Sequence, residues 1–414
     1  MSTSRTERLA STALGGLRVI DFTHFIAGPL ATMILADAGA DVIKVEKPLG
    51  DDQRHFAPSE ARLDGEGASF LWANRNKRSI TLDLKTEAGR EIAQALVRGA
   101  DVVVENFSSR VMAQYGLDYE TVSRGHPGLI YCSVSAFGRS GEFASRLGFD
   151  TIMQAESGFM SMNGHADREG VRTGPAVMDM ATAMMASNAI LIALAARHRT
   201  GLGQQVDVPL FDTAVLMTGF MTMQYLFSGK LPRRNGNTSN DAVPSGVFQT
   251  ADDPIFITCT SLGLFRRLFN DVAKMPEIAD DPALQKIDGR LAARERIIEI
   301  LSRLFSTDTR ENWLRRLAAA NIPAGAVRTL PQALASREVA ARGLVSEIPH
   351  PTAGTVPNVA LPLHFSGTPL VDPVAAPLLG ADSEAVLAEA LGLDAARIAE
   401  LRAAGVLGRP RPGA

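Results

Sequence analysis

Asp179 stands where the chain turns abruptly apolar: it follows Arg172-Thr173-Gly174-Pro175, and the stretch Met180 to Ala196 carries no charged side chain. A carboxylate leading into an apolar helix is either matched by the helix N-terminus, where backbone N–H groups and the dipole favour negative charge, or it is used for chemistry. The first role makes Asp179 an N-cap; the second makes it a nucleophile or a base. Both readings fit an acid at this position.

A second set of residues could meet a polyanion. Lys47 follows one β-branched run, Arg75, Lys77 and Arg78 precede the next, and Arg110 follows Asn106-Phe107. Overall the chain gives no such attraction: 42 basic against 45 acidic residues leave a net charge of −3, so anionic groups must be met locally. The histidines show no metal or triad spacing, and His24 alone, directly after the first apolar run, is placed to face a site. Cys132 and Cys259 form no C-x-x-C, so neither a disulfide framework nor a zinc site is expected, and a reduced, cytoplasmic setting fits. Nothing here is a nucleic-acid motif.

Taken in order, Gly148-Phe149-Asp150, Gln154-Ala155-Glu156-Ser157-Gly158, Arg172-Thr173-Gly174, Asp179, Arg199-Thr200-Gly201-Leu202-Gly203-Gln204 and Asp207-Val208 resemble the family III (CaiB/BaiF-type) CoA-transferases. Upstream, Asp21-Phe22-Thr23, Ala27-Gly28-Pro29, Gly39 to Glu46, Asn76 to Ile80 and Val104-Glu105-Asn106-Phe107 share the likeness, as does Ile322-Pro323-Ala324-Gly325. It runs from about residue 15 to about 370.

The resemblance implies that Asp179 is the catalytic nucleophile and that CoA, as substrate, is bound without a metal. It implies that Phe25, Ile26 and Ala27 line the pantetheine channel, that Lys47 sits by the adenosine, and that Leu82, Asn106 and Phe107 hold the nucleotide end. Arg75, Lys77 and Arg110 join these as expected CoA contacts. The reaction implied moves CoA from an acyl-CoA to a free carboxylic acid; a racemase acting at the α-carbon of 2-methylacyl-CoA and a non-catalytic CoA-binding protein are the alternatives. In the racemase branch a His precedes the Asp of Gly-x-Asp, whereas Phe149 stands here. Formyl-CoA:oxalate enzymes carry Gln where Ile26 stands and a run of glycines in the covering loop, for which Gly236-Asn237-Thr238-Ser239-Asn240 is no match.

The elements that must position these groups follow from period and punctuation. Arg18 to Thr23, Asp41 to Glu46, Ser79 to Leu84, Asp101 to Phe107 and Leu129 to Phe137 read as strands, several nearly continuous apolar runs of the kind buried on both faces of a parallel sheet. Pro29 to Ala38 and Thr86 to Val97 read as helices, each ended by a glycine. This order predicts an open, doubly wound α/β sheet with its ligand crevice at the carboxyl ends of the strands, though no Gly-x-Gly-x-x-Gly follows the first one. The apolar run near Asp179 reads as a helix buried within the fold, not as a membrane span.

Along the chain we expect a disordered extension over 1–14, a large CoA-binding domain over 15–227, a linker over 228–242, a small inserted α/β domain over 243–325, and a return to the large domain over 326–414. The resemblance adds that the large domain is built from both chain ends and that two subunits interlock as a homodimer.

Overall fold

The computed structural model describes residues 11–56, 66–108 and 110–408. Six strands form one parallel sheet: β1 (Arg18–Asp21), β2 (Asp41–Glu46), β3 (Arg78–Thr81), β4 (Val102–Glu105), β5 (Ile130–Ser135) and β6 (Gln205–Pro209), in the order β3-β2-β1-β4-β5-β6. Sequential strands run outward from β1 in one direction and from β4 in the other, so the order reverses between them. In such sheets ligands bind outside the carboxyl ends of the strands at that reversal.

Alternation along the strands divides the core into two layers. Val19, Val42, Val102, Val104, Ile130 and Cys132 face helices α1 (Ala27–Asp37) and α4 (Val177–Thr200). Ile20, Ile43, Val45, Val103 and Tyr131 face α2 (Glu87–Arg98) and two C-terminal helices, Ser383–Leu391 and Ala395–Ala403. Burial on both faces explains why these strands are apolar almost without interruption.

Two compact units emerge. The larger contains the six-stranded sheet and combines residues up to Phe159, Thr173–Gly219 and the chain from Ala340 onward; the smaller combines Met160–Arg172 with Phe220–Val339. The smaller unit is therefore wider than 243–325 and includes 228–242. Far from being a bare linker, that segment is tied in by Arg234, whose guanidinium donates to the carbonyls of Ser161, His165 and Arg168. Within the smaller unit Ser245–Phe248, Ile255–Thr258 and Ala324–Ala326 pair antiparallel over a core containing Phe265, Phe305 and Trp313. The expected helix Asp212 to Phe227 is divided by Gly219, which takes φ 64° between α5 (Leu210–Met217) and Phe220–Ser228.

The expected N-terminal extension ends earlier than residue 14. Leu14 donates its N–H to the Ala38 carbonyl and packs on the first core layer, while 1–10 lie outside the described residues. Helix α4 is long and apolar enough to cross a membrane by length and composition alone. It is not wholly buried, as its sequence suggested: Met178, Ala183, Ala186 and Ile190 pack inward, but Met184, Leu191 and Ile192 on its other side are exposed.

Candidate active site

The loop after β1 is the first wall of the site, and the sheet holds it rigidly. Asp21, fully buried, accepts from the backbone N–H and hydroxyl of Thr23 through one oxygen, and from Thr32 and Lys77 through the other. Lys44 reaches the Thr23 carbonyl at 2.7 Å and pairs with Asp51. The two lysines and two hydroxyls hold the Asp21 carboxyl down to about 2 against the upward pull of burial. Gly28 completes the packing: a Cβ there would stand 2.4 Å from Thr23 Cβ, so only glycine lets α1 begin this close to the loop.

His24 and Phe25 then leave the sheet in a constrained path. Asn106, just past β4, accepts the His24 N–H at 2.9 Å and returns its own amide N–H to the His24 carbonyl at 2.8 Å. Phe25 adopts φ 62°, which is costly for a bulky residue and persists here because both sides of the loop are tied. These are the two strand ends that flank the reversal of strand order.

Asp179 forms the second wall. Helix α4 begins at Val177, with Ala176 as an N-cap that offers no side-chain oxygen, so Asp179 is the third helical residue and not the cap the sequence allowed. The cap function falls to Asp150 at the start of α3 (Asp150–Glu156): its carboxylate accepts the Met178 N–H at 2.7 Å and the Gln154 amide at 2.6 Å. Gln154 in turn accepts the Thr173 N–H at 2.9 Å, which fastens the Arg-Thr-Gly segment to the same short helix. With that anion already at the helix end and the carboxyl partly withdrawn from water, the Asp179 acid is pushed up to about 7, burial contributing most and Asp150 next.

A cavity of about 340 Å³ joins the two walls. His24, Phe25, Ile26, Ala27, Asn106 and Phe107 line it together with Asp179, and so do Arg139, Arg146 and Phe149. The Phe25 and Phe149 rings meet edge to face with centroids 5.7 Å apart. Arg139 ties the floor, donating to the Phe107 carbonyl and to both oxygens of buried Glu105. Arg146 lies over Phe137 and pairs with Glu156. A second cavity of about 200 Å³ lies next to the first, lined by Lys47, Asp51 and Asp52 and sharing His24 and Phe107 with it. Lys47 is exposed there and is paired with Asp52.

The structure thus gathers Phe25, Ile26, Ala27, Asn106 and Phe107 around Asp179, with Lys47 one cavity away. It does not bring the other expected CoA contacts to this place. Arg75 is buried and bidentate to Asp37, with its third branch on the Val359 carbonyl. Lys77 is fully buried on Asp21, Asn74 and the Pro29 carbonyl, and burial brings its ammonium down to about 8. Leu82 is 1% exposed within the second core layer. All three are corrections: Arg75 is buried against Asp37 and Lys77 gives its three N–H donors to Asp21, Asn74 and the Pro29 carbonyl, so neither is open to a phosphate, and a core leucine has no surface to offer. Arg110 is exposed and precedes Val111, which lines the Asp179 cavity, but is not itself part of the lining. Among the described residues no His, Cys, Asp and Glu group could hold a metal ion.

Sequence reasoning missed Arg139 and Arg146. Both sit in the irregular stretch between β5 and α3, which has no period to read; the signal available was two guanidiniums within eleven residues of Asp150 in a Gly- and Ser-bearing segment.

Residues 14–383 match the CoA-transferase family III. A succinate–glutarate CoA-transferase of Agrobacterium fabrum is 39% identical over 91% of this chain and 95% of its own length. A succinyl-CoA:glutarate CoA-transferase of Mus musculus is 34% identical over 95% of this chain and 90% of its own. Among solved structures, a CaiB/BaiF family protein from Brucella suis superposes with a TM-score of 0.82 at 37% identity, covering 92% of this chain and all of that one.

Proposed function

The chain belongs to the CoA-transferase family III and is a CoA-transferase, and from that premise we propose that it moves CoA from an acyl-CoA to a free carboxylic acid with Asp179 as nucleophile. An Asp179 oxygen attacks the thioester carbonyl; the C–S bond breaks, and CoA leaves as thiolate from a mixed anhydride. The thiolate attacks the Asp179 carbonyl carbon, releasing the donor acid and forming an aspartyl-CoA thioester. The acceptor carboxylate then expels the thiolate to give a second anhydride, and the thiolate's attack on the acceptor carbonyl yields the new acyl-CoA and frees Asp179. The observation that carries this reading is a carboxyl group in a half-enclosed cavity at the reversal of strand order.

The first step is uphill, because a carboxylate of pKa about 4 expels a thiolate whose acid has pKa about 8.5. A raised Asp179 acid narrows that gap, since the more basic carboxylate is the better nucleophile. Both intermediates hydrolyse, so water must be kept from them, and the Phe25–Phe149 pair on the cavity wall suits that need. Arg146, exposed on the cavity wall and held only by a surface pair with Glu156, suits a substrate with a second carboxylate. Succinyl-CoA with glutarate, the pair in the names of the relatives, is therefore the first donor and acceptor to try.

Transferase and racemase chemistry separate in one experiment. A racemase needs an acid/base group on each face of the α-carbon, and the Phe149 ring can neither accept nor return a proton. In D₂O a 2-methylacyl-CoA should keep its α-hydrogen, read by mass spectrometry, while CoA passes from succinyl-CoA to added glutarate. Deuterium uptake at the rate of turnover, independent of any acceptor acid, would make the racemase reading the better one.

We also propose an interlocked homodimer working in the cytoplasm. The exposed apolar side of α4, with Met184, Leu191 and Ile192, supports a partner subunit, and the buried free thiols Cys132 and Cys259 support a reducing compartment. Two differently tagged, separately folded preparations should show twice the chain mass and form no mixed dimer over hours. A monomeric mass or rapid exchange would count against interlocking.

A further inference from the structure

His24 is left without a partner. Its backbone is fully engaged, both polar groups being bonded to Asn106, but no protein group bonds to its ring among the described residues: Nδ1 is enclosed, while Nε2 is equally without a partner and is not shut from solvent. A ring nitrogen that is open to a cavity and bonded to nothing in the protein is a donor or acceptor left for a ligand. The ring cannot easily turn aside: Phe25 and Phe107 flank it with centroids 4.9 and 5.2 Å away. Burial holds the imidazole below its usual pKa; among the nearby charges Asp51 and Asp52 oppose that shift while Lys44 and Lys47 add to it. The side chain is therefore a neutral imidazole at physiological pH, able to donate from one nitrogen and accept at the other.

Its location says what could satisfy it. His24 belongs to both cavities, the one holding Asp179 and the one holding Lys47. A CoA thioester whose acyl carbon reaches Asp179 and whose phosphates lie toward Lys47 must pass this shared wall with the portion between its two ends. That portion is the pantetheine arm, which carries two neutral amides and no charge. A neutral imidazole matches an amide far better than it matches a phosphate, which a fixed cation would meet more strongly.

We propose that the His24 imidazole is a hydrogen-bond partner for an amide of the pantetheine arm, and so a binding determinant for the middle of the CoA molecule. The inference rests on the transferase reading only for the identity of the ligand. It makes His24 a contact for the thioester donor and not for the free acid acceptor.

Calorimetry on the full chain with two ligands tests it: CoA, and adenosine 3′,5′-bisphosphate, which keeps the nucleotide end and lacks the arm. His24→Phe should weaken CoA about tenfold, the size of one neutral hydrogen bond in a dry site, and leave the bisphosphate within about twofold. His24→Gln, which sets an amide near the place of Nε2, should recover most of the loss. In turnover, KM for acyl-CoA should rise about tenfold with kcat within about threefold and KM for the acceptor acid unchanged. Equal weakening of both ligands, or unchanged CoA binding in a folded His24→Phe, overturns the proposal. If wild type binds CoA but transfers nothing, the reaction assigned above fails while the His24 contact stands; if it binds no CoA, both fall.

Discussion

Asp179→Asn should reduce CoA transfer by about a thousandfold or more while CoA binding stays within a few fold. The carboxamide is nearly isosteric and keeps the first turn of α4 intact, since Asp150, and not residue 179, receives the Met178 N–H. What it loses is the attacking oxygen, and removing the nucleophile of a covalent pathway costs far more than removing a positioning contact. Wild type incubated with acyl-CoA and then hydroxylamine should carry a hydroxamate at residue 179, detected by peptide mass; the Asn variant should carry none. Full transfer by the Asn variant, or labelling elsewhere, would remove Asp179 from the mechanism. The more conservative substitution matters because Asp179→Ala also deletes packing in a partly buried wall.

How far the sequence could foretell this site depends on the range of the interactions concerned. Strand positions and the two-layered core were legible, because burial on both faces leaves runs such as Asp101-Val102-Val103-Val104 with little other reading. A doubly wound sheet with its crevice at the strand ends was implied by the order of elements, whereas the groups around that crevice, from Phe25 to Phe107, came from the family resemblance and not from period or spacing. The basic run Arg75-Asn76-Lys77-Arg78 misled for a definite reason. Its partners Asp37, Asp21 and Asp41 lie 38, 56 and 37 residues away, so sequence shows four polar residues at a strand start and nothing of the carboxylates that consume them. Buried charges are stable only when paired, and pairing is a property of the folded chain. The same holds at Asp179, whose role as cap was reasonable until Asp150, 28 residues before Met178, took the helix end. The smaller unit reaches beyond the expected bounds because Met160–Arg172 is tied to it by the Arg234 guanidinium and by the Gly236 N–H on the Gly164 carbonyl, contacts that composition does not reveal.

Activity should rise with pH through about 7, with burial setting most of that value and Asp150 the remainder. In the free protein the Asp179 acid lies near 7, raised first by burial and second by the Asp150 charge, so kcat/KM for acyl-CoA should climb about tenfold per unit below 7 and level off above it. Near pH 5 the loss should reach about a hundredfold. Asp150→Asn keeps an oxygen to accept the Met178 N–H but removes the charge, and should move the whole profile to lower pH. A rise that came from the phosphates of CoA or from the acceptor acid would not move with that substitution, which makes the shift the decisive readout.

Stability should run the other way. A carboxyl whose folded pKa exceeds its unfolded value of about 4 keeps its proton longer when folded, so the protein loses stability as pH rises from there through about 7, and the cost is complete above it. Asp179→Asn escapes that cost, and its melting temperature should exceed that of wild type at pH 8, with the gap closing toward pH 4. An Asp179 that ionises near 4 in the fold would show neither the activity slope nor the gap. The site would then need another source for the basicity with which its carboxylate displaces a thiolate.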